Sequence, residues 1–499
     1  GGAALVGHID GIGPTFINCT FVNNSAAGTG AGLLVFARSV VTNCTFQGNI
    51  ASSSVFGGGG ISVFYGVGGE GCRIENCHFV SNSAEGGGGA ILLLSRSTVA
   101  ACVFVNNSGT AVDPFLGGGA IRFTFALAKS TISDSTFMGN SAVSAGGALL
   151  VNSVALIVNC SFDGNRVQVG PFGGGAVTIG YGVADQTNVT ACNFTNNAAA
   201  TGGALALFST GRVQACKFRG NSALLGGALI VPPYITTDTL PVLIDCTFSN
   251  NTAHFYGGGV FLESSAIFQG CTLESNQADA GGAVAIQYST ATRIGAGPEF
   301  AGCVFHGNGA TIAGNAFFLI GSSVSVALNG SALCGDDARA SVECQQTSMV
   351  MGPFSSSVGA RNVVQSPCVL SGDLASPLAA ESATTTWHGA LCGDDEARFY
   401  TTQPFVNLLT AITFELTAVA GVSMAVTPPL VNTTPIGTRI TPSMLDEHSK
   451  TIPPGASHVE LNVSNIVHGA CGPGGCEPTF GIAVKGPSVP NVTVVPFTL

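Results

Sequence analysis

The sequence predicts an all-β molecule: a right-handed parallel β-helix solenoid followed by a small C-terminal β-sandwich. Three observations carry this. Cys-x-(Phe/Leu)-x-x-Asn recurs with its first residue at Cys19, Cys44, Cys77, Cys102, Ser135, Cys160, Cys192, Cys216, Cys246, Cys271 and Cys303. Between copies stands a second signature, Gly-Gly-(Gly)-Ala-Ile/Leu/Val, as in "GGGGAILLL" at 86–94, "GGALLV" at 146–151 and "GGAVAIQ" at 281–287. The intervals between copies alternate, 25, 33, 25, 33, 25, 32, 24, 30, 25 and 32 residues, so two kinds of rung take turns in a super-repeat of 54 to 58.

Each part of the repeat has a physical reading. Residues two apart on a strand share a face, so in "NCTF" Cys19 and Phe21 point to a core while Asn18 and Thr20 point to solvent. Asn24 ends the strand, because Asn tolerates tight turns and its amide can bond to the backbone or to the equivalent Asn one rung away. Glycines follow where the chain bends sharply or approaches another backbone. A unit of this size with short strands and no helical periodicity cannot bury a face alone; stacked in register, such units share one core. Regular repeats span 1–330. Degenerate, capping rungs are expected over 331–400, where "ALCGDDARA" at 332–340 returns as "ALCGDDEAR" at 390–398, Cys334 to Cys392 being 58 residues. The "GDD" pairs read as solvated turns rather than calcium sites, each offering too few oxygens. Alternating runs such as "HVELNVSN", separated by Pro/Gly turns, predict an Ig-like β-sandwich over 401–499.

Composition narrows the class. Of 499 residues 70 are Gly, only 9% are charged, and Phe dominates the aromatics, which describes a narrow core lined by small residues. The mean hydropathy of +0.45 does not signal a membrane span, since the longest apolar runs, 311–328 and 411–426, are broken by Asn315 and Glu415. A net charge of −11 leaves no basic stripe for phosphates and argues against nucleic acid. The chain opens on "GGAALVGHID", inside a glycine signature, and reads as a processed or truncated product.

Twelve Asn-x-Ser/Thr sequons occur, at Asn18, Asn23, Asn43, Asn106, Asn159, Asn188, Asn193, Asn250, Asn329, Asn432, Asn462 and Asn491. Asn18, Asn43 and Asn159 precede the inward Cys, and Asn23, Asn106 and Asn250 precede the turn Asn, so these six face solvent. N-linked glycans are expected, and with them secretion to the cell surface or beyond. Ten of the 17 cysteines form the inward column. Buried thiols are favoured there, because parallel Cβ vectors suit a disulfide poorly, although pairing such as Cys19 with Cys44 stays open. "CGPGGC" at 471–476 closes a turn between Cys471 and Cys476 and predicts a local disulfide. No metal or cofactor is expected, since His and carboxylates do not recur with the column.

The alternation of "GGA(I/L/V)" with "FxxN" over 1–310 resembles the repeat of the chlamydial polymorphic membrane proteins and of related β-helix repeats in algal and protist surface proteins. That resemblance implies an extracellular β-helical passenger in adhesion or surface architecture, with no catalytic residues to carry over. Dense sequons and the lack of a terminal membrane barrel place this chain closer to the eukaryotic members.

The expected function is therefore an extracellular structural glycoprotein, a β-helical rod in a cell-surface or filamentous assembly. The alternative is an adhesin or carbohydrate-binding β-helix. A polysaccharide lyase or hydrolase needs carboxylates clustered on neighbouring rungs, whereas Asp113, Asp163, Asp185, Asp238, Asp245 and Asp279, and likewise His78, His254 and His306, sit at unrelated repeat offsets. The chain is thus expected not to be an enzyme. An ice-binding Thr array, Thr20, Thr45, Thr136, Thr247 and Thr272, is interrupted by His78, Val103, Asn193 and Lys217. The longer segments 61–76, 120–134, 176–191, 228–245 and 283–302 are expected to project as a ridge on alternate rungs. Self-association into a filament or surface layer is expected through the first rung, 1–18, and the tail Val489–Leu499 adding as a strand to a neighbour.

Overall fold

In the computed structural model the described residues are 2–345, apart from 8–11, 65–69, 114, 125–128, 170–172, 181–186, 234–239, 288–296, 322–323, 329–330 and 335–341, together with the backbone of separate strands beyond 345. The chain divides into two compact units, one of Gly1–Ala266 with Asn276–Asp279 and Tyr288–Thr292, the other of Ile267–Ser275, Ala280–Gln287 and Arg293–Leu499. No α-helix occurs among the described residues.

In the first unit every rung contributes a strand to each of three parallel sheets, and each strand pairs with its equivalent one rung away. The motif strands align phenylalanine on phenylalanine, Phe21 with Phe46, Phe46 with Phe79, Phe79 with Phe104, and so on to Phe248. A second sheet is built from the strands that precede the motif, such as Arg38–Thr42 and Arg96–Ala100. The third is built from the strands after the glycine signature, such as Leu33–Val35, Ile61–Val63 and Ile91–Leu93. A short ladder follows the motif, with Ser25–Ala26, Ile50–Ala51 and Ser83–Ala84 side by side. The predicted β-helix is the observed fold.

Three interior columns run along this unit. The phenylalanine rings stack face to face with centroids 4.7–5.0 Å apart and interplanar angles of 3–9°. Each buried ring contributes about 2–3 kcal/mol of apolar burial, so this column supplies cohesion. It would tolerate a slipped register poorly but does not forbid one.

The asparagines forbid it. From Asn24 through Asn49, Asn82, Asn107, Asn140, Asn165, Asn197, Asn221 and Asn251 to Asn276, each Nδ2 donates to the Oδ1 of the next rung at 2.7–3.0 Å. The second Nδ2 proton goes to a phenylalanine carbonyl of the rung before, as in Asn140 to Phe104 O at 3.1 Å. Each Oδ1 also accepts a backbone N–H, as Asn140 Oδ1 does from Asn107 at 2.9 Å. Asn140 itself is fully buried. Net, each such bond is worth about 1 kcal/mol, but a buried donor left bare costs about 1–3, so the ladder punishes misregister more than it rewards register.

The cysteine column is a second hydrogen-bonded ladder. The Cys44 thiol donates to Thr42 O at 3.2 Å and its sulfur accepts the Cys19 N–H at 3.4 Å. Ser135 interrupts the column without breaking it: its Oγ donates to Ser133 O at 2.8 Å and accepts the Cys102 N–H at 3.1 Å. The hydroxyl is a working substitute for the thiol. Cys19, Cys44, Cys77, Cys102, Cys160, Cys192, Cys216, Cys246, Cys271 and Cys303 are thiols rather than disulfides, as is Cys72, while Cys344 is disulfide-bonded. Burial pushes the Cys44 thiol up to about 11 and Cys72 up to about 12, each from 9.0.

Two corners of each rung take left-handed backbone. The residue before the column (Asn18, Asn43, Asn76, Ala101, Asp134, Asn159, Ala191, Ala215, Asp245) and the non-glycine residues before the ladder Asn (Asn23, Ser81, Asn106, Asn196, Asn250, Ser275) all have φ of 51–55°. The glycine signature does two different jobs. Gly146 sits at φ +59°, and a Cβ on Gly147 would lie 2.0 Å from the Gly175 carbonyl of the next rung. The strand after it is buried on both faces: Leu33, Leu34 and Val35 are all buried, as are Ile91, Leu92 and Leu93. The other two sheets alternate buried and exposed positions, as in Arg96–Ala100.

In the second unit parallel pairing continues from Thr272–Glu274 through Val304–His306 and Ser331–Cys334 to Phe354–Ser356. Beside this last strand, Phe497–Thr498 of the same chain lies parallel. The tail, expected to reach a neighbouring molecule, is thus engaged within its own chain, because an open strand edge is satisfied by the nearest free strand. Between these, strands pair antiparallel: Thr479–Gly486 with Ala383–Ala390 and Ile412–Ala418, and Val459–His468 with Val422–Val426 and Ala397–Thr401. The packing of one such sheet on the other, hence the sandwich of 401–499, lies outside the described residues, as do Cys471, Cys476 and both "GDD" segments.

Two predictions follow from the columns. Asn140→Leu strands the Asn107 N–H and the Phe104 carbonyl and should cost about 3–5 kcal/mol in chemical denaturation. Asn43→Gly, at a left-handed corner, should stay within about 0.5 kcal/mol; equal losses for the two would refute the division of labour. For the thiols, the unfolded chain ionises near 9 while the folded groups hold their protons to about 11 for Cys44 and 12 for Cys72. The unfolded state then binds fewer protons, so stability should be intact below pH 9 and fall as pH rises from 9 to 12. Cys72→Ala should flatten part of that fall in urea titrations across the range.

Candidate functional site: the outward rows and corners

With the interior filled by three columns, chemistry open to partners is confined to corners and outward rows. The two left-handed corners carry most of the predicted acceptor sites. Asn18, Asn23, Asn43, Asn106, Asn159 and Asn250 are exposed corner residues with φ of 52–54°. Asn193 is exposed on a motif strand, and Asn188 is half-buried on the strand before one. Asn329, Asn432, Asn462 and Asn491 lie outside the residues whose side chains are described. Corner side chains also bond along the axis, Asn159 Nδ2 donating to Asp134 Oδ1 at 2.7 Å and Asn196 Nδ2 to Asp163 Oδ1 at 3.2 Å.

The outward row of the motif sheet runs in register as Thr20, Thr45, His78, Val103, Thr136, Ser161, Asn193, Lys217 and Thr247. It is the mixed row the sequence implies, with no uninterrupted threonine array. Acidic residues are spread over different elements: Asp163 on a motif strand, Asp245 at a corner, Asp113 in the segment before a glycine signature. Asp185 and Asp238 lie outside the described residues. Burial raises the Glu263 carboxyl above its usual range. Among the described residues no group of three or more His, Cys, Asp or Glu is placed to hold a metal ion.

The extra residues of the long rungs are divided between two places, ahead of the glycine-signature strand and after it. On short rungs two to four residues join the glycine-signature strand to the next, as Phe36 and Ala37 do between Leu33–Val35 and Arg38–Thr42 and 208–211 do between Leu205–Leu207 and Arg212–Gln214. On long rungs the same corner holds 64–69, 125–129 and 180–187, between Ile61–Val63 and Glu70–Glu75, Ile121–Thr124 and Ser130–Ser133, Val177–Ile179 and Asn188–Thr190. The middles of the expected ridge segments, 65–69, 125–128, 181–186, 234–239 and 288–296, lie outside the described residues; the strands on either side bound them at the same corner of every second rung. Long rungs also carry apolar residues ahead of the glycines, with Val55, Phe56, Val112, Phe115 and Val169 exposed. Sequence reasoning missed this; the signal was "VFGGGG" and "PFLGGG" against "AEGGGG".

Among solved structures, a mutant tailspike protein of E. coli bacteriophage HK620 in complex with a hexasaccharide is similar at 10% identity and a TM-score of 0.34, covering 93% of this chain and 80% of that one. The enzymatically active domain of bacteriophage CBA120 tailspike protein 4 is similar at 12% identity and a TM-score of 0.25, covering 80% of this chain and 64% of that one. These likenesses transfer no substrate or activity. They do correct the expectation that the chain is not an enzyme, since one chain of similar form is itself enzymatically active. Carboxylates need not share one repeat offset to meet, because a solenoid also brings different offsets together across neighbouring rungs. No curated protein sequence matches the chain, and no helix among the described residues is long and apolar enough to cross a membrane. The family model for the right handed beta helix region matches residues 6–180, 60–231 and 128–333, more than half of the chain, and the chain belongs to that family.

Proposed function

We propose that this chain is an extracellular glycoprotein rod that presents repeated contact elements at a cell surface, built on a repeat of the chlamydial polymorphic membrane protein kind and closest in character to eukaryotic extracellular members. The observation that carries the reading is the doubled repeat. A solenoid needs only one kind of rung to close its core, yet here every second rung adds residues on both sides of the glycine-signature strand, which places a contact element about every 9.6 Å of axis. Spaced elements on a stiff support favour multivalent engagement of a repetitive partner, such as a polysaccharide or a second copy in a surface layer. Exposed corner asparagines support the glycan part of the proposal. With the tail paired inside its own chain, lateral rather than tail-mediated association is the form of self-assembly that fits.

Two measurements test this. Peptide mass spectrometry of native material should find N-glycans on several of Asn18, Asn23, Asn43, Asn106, Asn159, Asn193 and Asn250; bare asparagines throughout would remove the secretory reading. Replacing 65–69 by a single Ala gives the long rung a short-rung corner. The variant should melt as the parent does while binding to a panel of immobilised polysaccharides, or self-association in sedimentation, weakens about tenfold. Unchanged binding would mean the corner elements are not the contact.

A further inference from the structure

The outward row of the glycine-signature sheet reads Leu92, Arg122, Leu150 in register. All three are buried, Arg122 with 5% of its surface exposed. A guanidinium lies where apolar side chains fill the rungs on either side. Its Nη1 donates to Gly86 O at 2.7 Å and to Val55 O at 2.9 Å, the latter 67 residues away. Those bonds fix the plane of the group and leave its other edge, Nε with Nη2, turned away from the carbonyls. That edge is the one with which arginine grips an anion side-on.

Nothing among the described residues occupies it. Nε is buried without a hydrogen-bond partner, and Nη2 makes no hydrogen bond among the described residues. Nor does any described carboxylate lie within salt-bridge distance of Arg122. Asp113 is the acid whose charge reaches it, but that side chain is exposed and its Oδ1 accepts the Phe115 N–H at 2.8 Å. Burial draws the guanidinium down to about 10, with Asp113 acting the other way, so the group stays charged at neutral pH. A buried charge is normally paired, and two carbonyl acceptors do not neutralise a cation. Nε itself is closed to bulk solvent and Arg122 as a whole keeps only 5% of its surface exposed, which favours a partner as small as a monatomic ion.

We propose that the Nε/Nη2 edge of Arg122 is a binding site for a small monovalent anion of the halide class, held on the outer face of the glycine-signature sheet. Attraction by the whole chain does not explain such binding, since the net charge is −11; the affinity is local. A bound anion stabilises the folded state and leaves the unfolded chain unaffected, so it should appear as ion-specific stabilisation.

The test uses the intact chain with sodium chloride, sodium bromide and sodium gluconate at equal ionic strength. The halides should raise the melting temperature by about 2 °C or more over gluconate, saturating with concentration. Arg122→Gln, and separately Arg122→Leu to match its neighbours, should abolish the difference. Crystals grown in bromide should show an anomalous peak beside Nε. Melting temperatures of the unaltered protein indifferent to halide, with no anomalous peak at Arg122, would overturn the site whether or not either variant folds. A halide effect that persists in a folded variant would also overturn it.

Discussion

One interaction sets the terms for the rest: a side-chain amide sealed from water, whose hydrogen-bonding partners lie mainly on the rungs before and after. Asn140 can satisfy its oxygen and nitrogen only if Asn107, Phe104 and Asn165 stand at fixed heights along the axis. Phenylalanine stacking and thiol packing then occur in the register that the amides permit. The aromatic column is the stronger attraction and the weaker constraint. Exchanging these roles, with a purely apolar interior, would leave parallel strands free to slip.

The glycine signature answers a different demand. A rung shared by three sheets has to turn back over itself, and at Gly147 the turn leaves no room even for a methyl group before the neighbouring carbonyl. The strand that follows is covered on both faces, which explains "AILLL" where alternation would be expected. Buried on both sides, that strand is also where a misplaced charge is most costly, and Arg122 stands in it.

Much of this was legible in the chain because the repeat samples each position many times. The inward Cys and Phe, the turn Asn and the two rung lengths can be read from spacing alone, and all appear in the fold. What spacing could not reveal were the contacts whose partners lie two rungs away, such as Arg122 with Val55, or covering segments whose sequences differ from rung to rung. Ser135 shows the limit from the other side. It looks like a lapse in the motif, yet its hydroxyl performs the thiol's hydrogen bonding in full. Surface constellations were the least legible feature, since motif offset is a poor guide to which side chains meet on the outside of a solenoid.

The left-handed corners couple two codes that are usually read separately. Outside glycine, asparagine is the residue that best accepts φ near 50°, and an outward strand position two residues later favours threonine or serine. A corner of Asn18, Cys19 and Thr20 therefore spells a glycosylation acceptor as a by-product of turning correctly. Any such repeat that enters a secretory pathway arrives already marked for sugar along its corners, without one mutation made for that purpose. A corner escapes that mark in two ways, by Gly, Asp or Ala at the turn, as at Gly48, Asp134 and Ala101, or by an outward residue other than Ser or Thr two positions later, as at Asn76 and Asn196.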